Sequence, residues 1–534
     1  MPDHRTASRT PARAHDFAQS TLRDILDPQR LAAPAHIALI EVDREMSYHA
    51  LAQRVAGVAH ALKDQGIVPG DRVAILLPNN AAFLECFFGI VSIGAIVVPL
   101  NTRLHPREHV QLLRDCGPAL MVAHGDHADT VDAVRAAFPA MPVVMQDAHQ
   151  PMPDVADYAA WRPLRDALPP LEIEADQPAS LLYTSGTTSS PKGVVLSHRN
   201  YMADFDNVRA VAGLDAGSIN LQLSPLYHAA GVHTQVHLAV GGTTILQPRF
   251  DPLQVMAAVQ HYGVHYFFCV PTMLYQILDH PQREQFRLDS LRTISYGAAA
   301  ITGARLEQAL DVFGCKLLHA YGMTETTSHA SILRPEEHLQ AAGSIGRGLP
   351  GTALRVVDAQ GNDVAADVAA DVAAPDAIGE IIVRGANVMQ AYWQRPDETR
   401  AVLRDGWLHT GDLARRDARG FVYIVDRKKD MIISGGVNIY PRETEEVLAR
   451  HPAVAEVAAY GIPDELWGEA LAAAVVLRPG HEVTADALLD FAAQQLARMK
   501  LPKVLFFVDT LPRTASGKVQ KARLRATGIP GSSS

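Results

Sequence analysis

Cysteine is scarce in this chain of 534 residues: Cys86, Cys116, Cys269 and Cys315 stand far apart, and no CxxC pair occurs. A dense disulfide framework and a paired-cysteine zinc site are excluded, and a reducing, cytoplasmic location is expected. Long apolar runs are missing too. The longest, Cys86 to Leu100, contains Ser92 and two glycines and falls short of the ~18 to 20 residues a membrane span needs. It predicts a buried helix followed by a strand, and no integral membrane association. The first 19 residues carry Arg5, Arg9 and Arg13 but no apolar centre of a signal peptide, so export is not expected. Neither sign of charge forms a long run, and the net charge is −10, which removes the electrostatic footprint of a nucleic-acid binder. Glycine and proline together number 71, about 13% of the chain and well below the roughly 25% of low-complexity sequences. A chain of this length that is 48% hydrophobic outgrows a single core. A globular protein of more than one domain remains.

Short apolar runs alternate with helical patterns along the first two thirds: Val73 to Leu77, Ile96 to Pro99, Leu120 to Ala123, Pro142 to Met145, Thr244 to Gln247, His265 to Val270 and Leu291 to Tyr296. This is the rhythm of βα units and mostly parallel sheets. Beyond Gly346 glycine-bounded strands, Ala353 to Val357 and Glu380 to Val383, predict a smaller β-rich module. After Asp426 an α+β pattern begins, with helices near Arg442 to Arg450 and Asp486 to Met499 and strands near Val454 to Tyr460, Leu471 to Leu477 and Lys503 to Val508. The fold class is therefore α/β: a large N-terminal body of layered sheets and helices with its β-rich module over 1–427, and a small α+β C-terminal domain over 428–534.

Lysine is the other scarcity. Nine lysines stand against 39 arginines, so the surface is solvated by arginine and each lysine carries more information than usual. One of them, Lys192, closes the phrase Tyr183-Thr184-Ser185-Gly186-Thr187-Thr188-Ser189-Ser190-Pro191-Lys192-Gly193. Hydroxyls and backbone N–H groups on such a loop hydrogen-bond phosphate oxygens, and lysine adds a compact charge. This composition suits a polyphosphate, although a generic Ser/Thr/Gly run of this kind is more often a polar solvent loop. The P-loop pattern GxxxxGK[ST] is not met, because the spacing from Gly186 to Lys192 is wrong and Gly193 replaces the hydroxyl residue.

The phrase resembles the phosphate loop of the adenylate-forming superfamily of acyl-CoA synthetases, peptide-synthetase adenylation domains and luciferases. Four further segments resemble that family in its order: Tyr321-Gly322-Met323-Thr324-Glu325-Thr326; Leu408-His409-Thr410-Gly411-Asp412; Asp426-Arg427-Lys428-Lys429-Asp430 continuing through Gly435-Gly436 to Glu443; and Pro512-Arg513-Thr514-Ala515-Ser516-Gly517-Lys518. Lys192, Lys428, Lys429 and Lys518 all fall inside these phrases. The resemblance implies a mobile C-terminal lid, and substrates ATP and coenzyme A with Mg²⁺.

The resemblance also distributes roles. Thr184, Ser185, Gly186, Thr187, Thr188 and Lys192 would hold the phosphates; Gly297, Ala298, Ala299, Tyr321 and Gly322 would face the adenine; Asp412 and Arg427 would bind the ribose side. Lys518 would reach between carboxylate and α-phosphate, Thr324 would bond the α-phosphate, and Glu325, a hard oxygen donor, would ligate Mg²⁺. Lys429 matches the hinge position, and Gly435-Gly436 the segment past which pantetheine runs. Pro225-Leu226-Tyr227-His228-Ala229-Ala230-Gly231 resembles the PxxHxxG segment by the acyl site. There His228, Val232 and Ala300 would wall the pocket, with no base required of His228, because an ionised carboxylate already attacks.

The segments expected around the acyl group, near Val232, 297–300 and 327–333, hold no Arg or Lys. A neutral hydrophobic acid is expected over a dicarboxylate, whose distal charge would need a cation, and a medium- or long-chain fatty acid is the leading substrate. The expected activity is an acid:CoA ligase releasing AMP and pyrophosphate. The alternatives are a ligase that loads an acyl carrier protein and an inactive adenylate-binding sensor. One departure stands out: Ser189 occupies a place where the family commonly has glycine.

Overall fold

The computed structural model describes residues 17–527 apart from 43, 151, 185–190, 300, 302, 365–377, 435–436, 465–466 and 514–518. The chain divides into two compact units, the first comprising residues up to 184, 190–354 and 383–408, the second chiefly 355–382 and 409–534.

The first unit is built on two large sheets, and the short apolar runs singled out in the sequence fall on their strands. In the eight-stranded sheet Ile96–Pro99, Arg72–Leu76, Leu120–His124 and Val143–Gln146 lie parallel, and the antiparallel pair Pro178–Thr184 and Lys192–Ser197 extends it beyond Ile96–Pro99. In the nine-stranded sheet Thr243–Leu246, Ile219–Gln222, Tyr266–Cys269, Thr293–Gly297 and Lys316–Tyr321 run parallel in that order. Parallel strands covered on both faces are apolar throughout, as in Ile96–Pro99, where every residue is buried.

Several helices begin where the sequence supplies a cap. Ser47 accepts from the Ala50 N–H at the start of Tyr48–Asp64, and Asp251 with Pro252 opens Pro252–Tyr262, which Gly263 closes at φ 66°. The apolar stretch from Cys86 is the expected buried helix and strand. Helix Ala81–Val91 has no exposed residue and precedes Ile96–Pro99. No described helix is long and apolar enough to cross a membrane.

The second unit contains antiparallel strands of the expected β-rich module, with Trp407–Arg416 paired to Val422–Arg427, and a five-stranded sheet in which Gly468–Leu477 pairs antiparallel with Val454–Asp464 and parallel with Val504–Phe507. Helices Pro441–Leu448 and Ala485–Ala493 pack on it around Leu448, Val475 and Leu488. The helix expected from Asp486 to Met499 stops at Ala493. Leu496 N–H returns to the Ala492 carbonyl, Ala497 is extended, and a separate 3₁₀ turn, Arg498–Lys500, follows. The periodicity carried no mark of that stop because neither Gly nor Pro sits at it.

Candidate active site

In open α/β sheets ligands bind beyond the carboxyl ends of parallel strands. The nine-stranded sheet delivers most of the expected residues of the first unit to that edge. Strand Thr293–Gly297 ends at Gly297, where a Cβ would lie 2.8 Å from the Ala320 carbonyl oxygen; only glycine lets the neighbouring strand approach so closely. Ala298 and Ala299 follow, both exposed, with Ala298 at φ 69°. Strand Lys316–Tyr321 carries a buried Tyr321, and a Cβ on Gly322 would sit 1.8 Å from the Ser328 carbonyl oxygen. Gly322 therefore permits the tight fold-back that places the single 3₁₀ turn Thr324–Thr326 at the strand's end. Thr327, at φ 64°, completes it. Two non-glycine residues in left-handed backbone beside one edge store strain of about 1 kcal/mol each.

The turn is fastened from behind. Asn387, fully buried, donates from Nδ2 to the Thr326 and His329 carbonyl oxygens at 3.2 and 2.6 Å, while its own carbonyl accepts from Thr327 Oγ1 at 2.7 Å. Met389 N–H donates to the Glu325 carbonyl at 2.8 Å. Glu325 is buried, and its Oε1 accepts from the Tyr392 hydroxyl at 2.8 Å. No hydrogen bond is made to its Oε2 among the described residues.

Thr184 and Lys192 face each other in the antiparallel pair that brackets 185–191, with Thr184 Oγ1 3.5 Å from the Lys192 carbonyl oxygen. Ser185, Gly186, Thr187 and Thr188, like Ser189, Ala300, Gly435, Gly436 and Lys518, lie outside the described residues. Lys192 Nζ is 2.5 Å from Glu398 Oε2 and stands 5.1 Å over the Tyr392 ring. The ammonium holds the Glu398 carboxyl below its usual pKa, and Arg395 acts in the same sense. Lys192 and Glu325 thus meet on the two sides of one tyrosine, a grouping not foreseen from sequence.

A small pocket is lined by Phe87, Leu182, Tyr201, His228, Val232 and Thr327 together with Pro99, Leu226, Ala229 and Gln235. Expected pocket residues His228 and Val232 are both there, and no Arg or Lys is. Gln235 Oε1 is buried with no hydrogen-bond partner among the described residues. On the same helix, Val232–Ala239, His233 is sandwiched with Phe268 at 4.5 Å and bonded through Nδ1 to the Tyr266 hydroxyl at 2.8 Å. Burial, and then His329 and His237, push its pKa well down, so this imidazole is neutral.

In the second unit Asp412 and Arg427 are register partners across Trp407–Arg416 and Val422–Arg427, and Arg427 Nε lies 2.5 Å from Asp412 Oδ1. Asp412 is buried. Gly411 N–H donates to Glu380 Oε1 at 3.0 Å, and Lys428 Nζ lies 3.2 Å from Glu380 Oε2, so the xxTGD phrase and the basic cluster are held by one carboxylate. Lys429 sits exposed in the turn after Val422–Arg427, where the Asp430 and Met431 N–H groups both donate to the Arg427 carbonyl. Strands Ile432–Ser434 and Val437–Ile439 pair on either side of Gly435-Gly436, and Arg513 pairs with Val519 on either side of Lys518.

A family of AMP-binding enzymes matches residues 27–393, and the AMP-binding enzyme C-terminal domain matches 443–518. The feruloyl-CoA synthase of an Amycolatopsis species is 39% identical over 486 residues, covering 90% of this chain and 93% of that protein. The indoleacetate–CoA ligase of Aromatoleum aromaticum is 37% identical, covering 94% and 97%. Among solved structures, ATP-bound MatB from Rhodopseudomonas palustris superposes with a TM-score of 0.85 at 31% identity, covering 95% of this chain and 98% of its own.

Proposed function

We propose, because the chain belongs to the AMP-binding enzyme family and is an acid:CoA ligase that works through an acyl adenylate, that its substrate is a neutral hydrophobic carboxylic acid activated at the edge described above. The observation that carries this reading is the convergence of Lys192 and buried Glu325 beside a pocket that has no cationic wall.

A carboxylate is a poor acylating agent because oxide leaves badly. Its oxygen attacks the α-phosphorus of ATP, the bond to the β-phosphate oxygen breaks, and pyrophosphate departs; the resulting acyl-AMP then has AMP as leaving group for a thiol. Two anions must meet in the first step, so charge neutralisation is the main demand. Lys192 binds the phosphates, Thr324 the α-phosphate, and Lys518 approaches both the carboxylate and the α-phosphate. Asp412 accepts from the ribose hydroxyls, with Arg427 fixing its orientation, and Tyr321 with Gly297 to Ala299 faces the adenine. Glu325 is the residue that would hold Mg²⁺, a hard-oxygen donor with one carboxylate oxygen uncommitted among the described residues. Mg²⁺ is commonly bound through one or two carboxylates plus substrate phosphates, which agrees with the absence of any larger His, Cys, Asp or Glu cluster among the described residues. When bound, the ion neutralises phosphate charge. His228 walls the pocket. Residues 428–534 act as a lid turning about Lys429, with Gly435-Gly436 flanking the pantetheine and free coenzyme A, rather than an acyl carrier protein, bringing the thiol.

A medium- or long-chain fatty acid satisfies the apolar walls. A second reading rests on Gln235: its unpartnered buried acceptor costs on the order of 1 to 3 kcal/mol if left unmet, which favours an aromatic acid carrying a hydrogen-bond donor. Pyrophosphate release measured over a panel of alkanoic, arylalkanoic, hydroxyaryl and dicarboxylic acids, with free coenzyme A or a carrier protein as acceptor, tests the assignment. A hydrophobic monoacid with free coenzyme A should exceed any dicarboxylate by at least about tenfold in kcat/KM, as one unpaired buried charge demands. A dicarboxylate turning over as well as the best monoacid would refute it.

A further inference from the structure

Tyr392 was not among the residues the phrases identified, yet it touches two of them. Its short strand Ala391–Tyr392 pairs with Val194 and Val195, on the strand that Lys192 begins. Its N–H donates to Thr399 Oγ1 at 3.0 Å, so the backbone is pinned on both sides. From that position the ring lies 5.1 Å beneath Lys192 Nζ while the hydroxyl reaches Glu325 Oε1 at 2.8 Å. Met389, three residues earlier, fixes the Glu325 main chain.

We propose that Tyr392 is a positioning residue with two separable handles: its hydroxyl orients Glu325 so that Oε2 faces the metal–phosphate side, and its ring supports the ammonium of Lys192. A glutamate side chain loses rotamer freedom on being fixed; Tyr392 takes that cost at folding, before ATP and Mg²⁺ arrive. The hydroxyl handle rests on the reading of Glu325 as the Mg²⁺ ligand, and the test separates the two.

ATP binding to the full chain is measured by calorimetry without acid, in the presence and absence of Mg²⁺, for the parent and for Tyr392→Phe, Tyr392→Leu, Glu325→Gln and Tyr392→Phe/Glu325→Gln. Tyr392→Phe keeps the ring. It should raise the Mg²⁺ concentration needed for half-maximal tightening of ATP binding by about fivefold, leave Mg²⁺-free ATP binding within about twofold of the parent, and add nothing in the Glu325→Gln background, because coupled neighbours are not additive. Tyr392→Leu should in addition weaken Mg²⁺-free ATP binding by about threefold or more, the loss of an ammonium–ring contact. An unchanged Mg²⁺ requirement in Tyr392→Phe alongside a raised one in Glu325→Gln overturns the inference and spares the metal reading. Equal effects of Tyr392→Phe with and without Glu325 overturn it as well. An unchanged requirement in Glu325→Gln removes the metal reading itself, and the hydroxyl handle with it.

Discussion

Single residues decide whether two anions can be brought together. Most of those proposed to do so stood in the sequence as recognisable phrases, because a lysine in a chain that otherwise uses arginine is conspicuous. Lys518 carries the heaviest assignment. If its ammonium stabilises the pentavalent charge at the α-phosphate, Lys518→Ala should slow adenylation by at least about 10²-fold, the usual loss for one transition-state charge contact. Thioester formation from supplied acyl-AMP should survive, and rapid-quench measurement of the two half-reactions checks it; adenylation within a factor of about three of the parent would remove the role. Tyr392, Asn387 and Glu398 were not legible in the same way. Tyr392 meets Glu325 across 67 positions of chain, and Asn387 ties the turn after Gly322 through carbonyl oxygens. Neither contact has a local sequence signal, since each exists only once two distant segments are folded together. The close approaches at Gly297 and Gly322 were likewise visible only as glycines within phrases, without the neighbour that makes glycine necessary.

At the scale of elements, strands were the most readable feature. Runs such as Leu120 to Ala123 and His265 to Val270 coincide with observed strands because buried parallel strands are apolar on both faces and need no alternation to be recognised. Helix ends were less readable where no Gly or Pro marked them, as after Ala493. If, as proposed, one site first offers Lys518 to phosphate and later admits a thiol, the turn that follows Val422–Arg427 is the element with most consequence for the reaction cycle. Lys429 is exposed there, and proline at that position would hold φ near about −65°. Lys429→Pro is therefore expected to spare adenylation and to depress thioester formation by at least about tenfold, read as separate half-reaction rates. Loss of both rates together, with a lowered melting temperature, would mean damage to the fold and not to a hinge.

The whole molecule has an order: a sheet edge that collects the groups proposed to bind phosphate and metal, a pocket without cations proposed for the acid, and a second unit carrying Asp412, Arg427 and the lysine segments. The class of fold and the reaction were readable because five phrases occur in one order along the chain. The acid was not, since pocket walls such as Phe87, Tyr201 and Gln235 come from separate elements and acquire meaning only as neighbours. The central claim is that the acid's own oxygen attacks the α-phosphorus of ATP. Turnover of a hydrophobic acid labelled with ¹⁸O in its carboxylate, followed by mass analysis of the nucleotide and phosphate products, tests this most directly. Attack at the α-phosphorus predicts the label in AMP and none in pyrophosphate; label in orthophosphate, with ADP as the nucleotide product, would contradict the adenylate reaction outright.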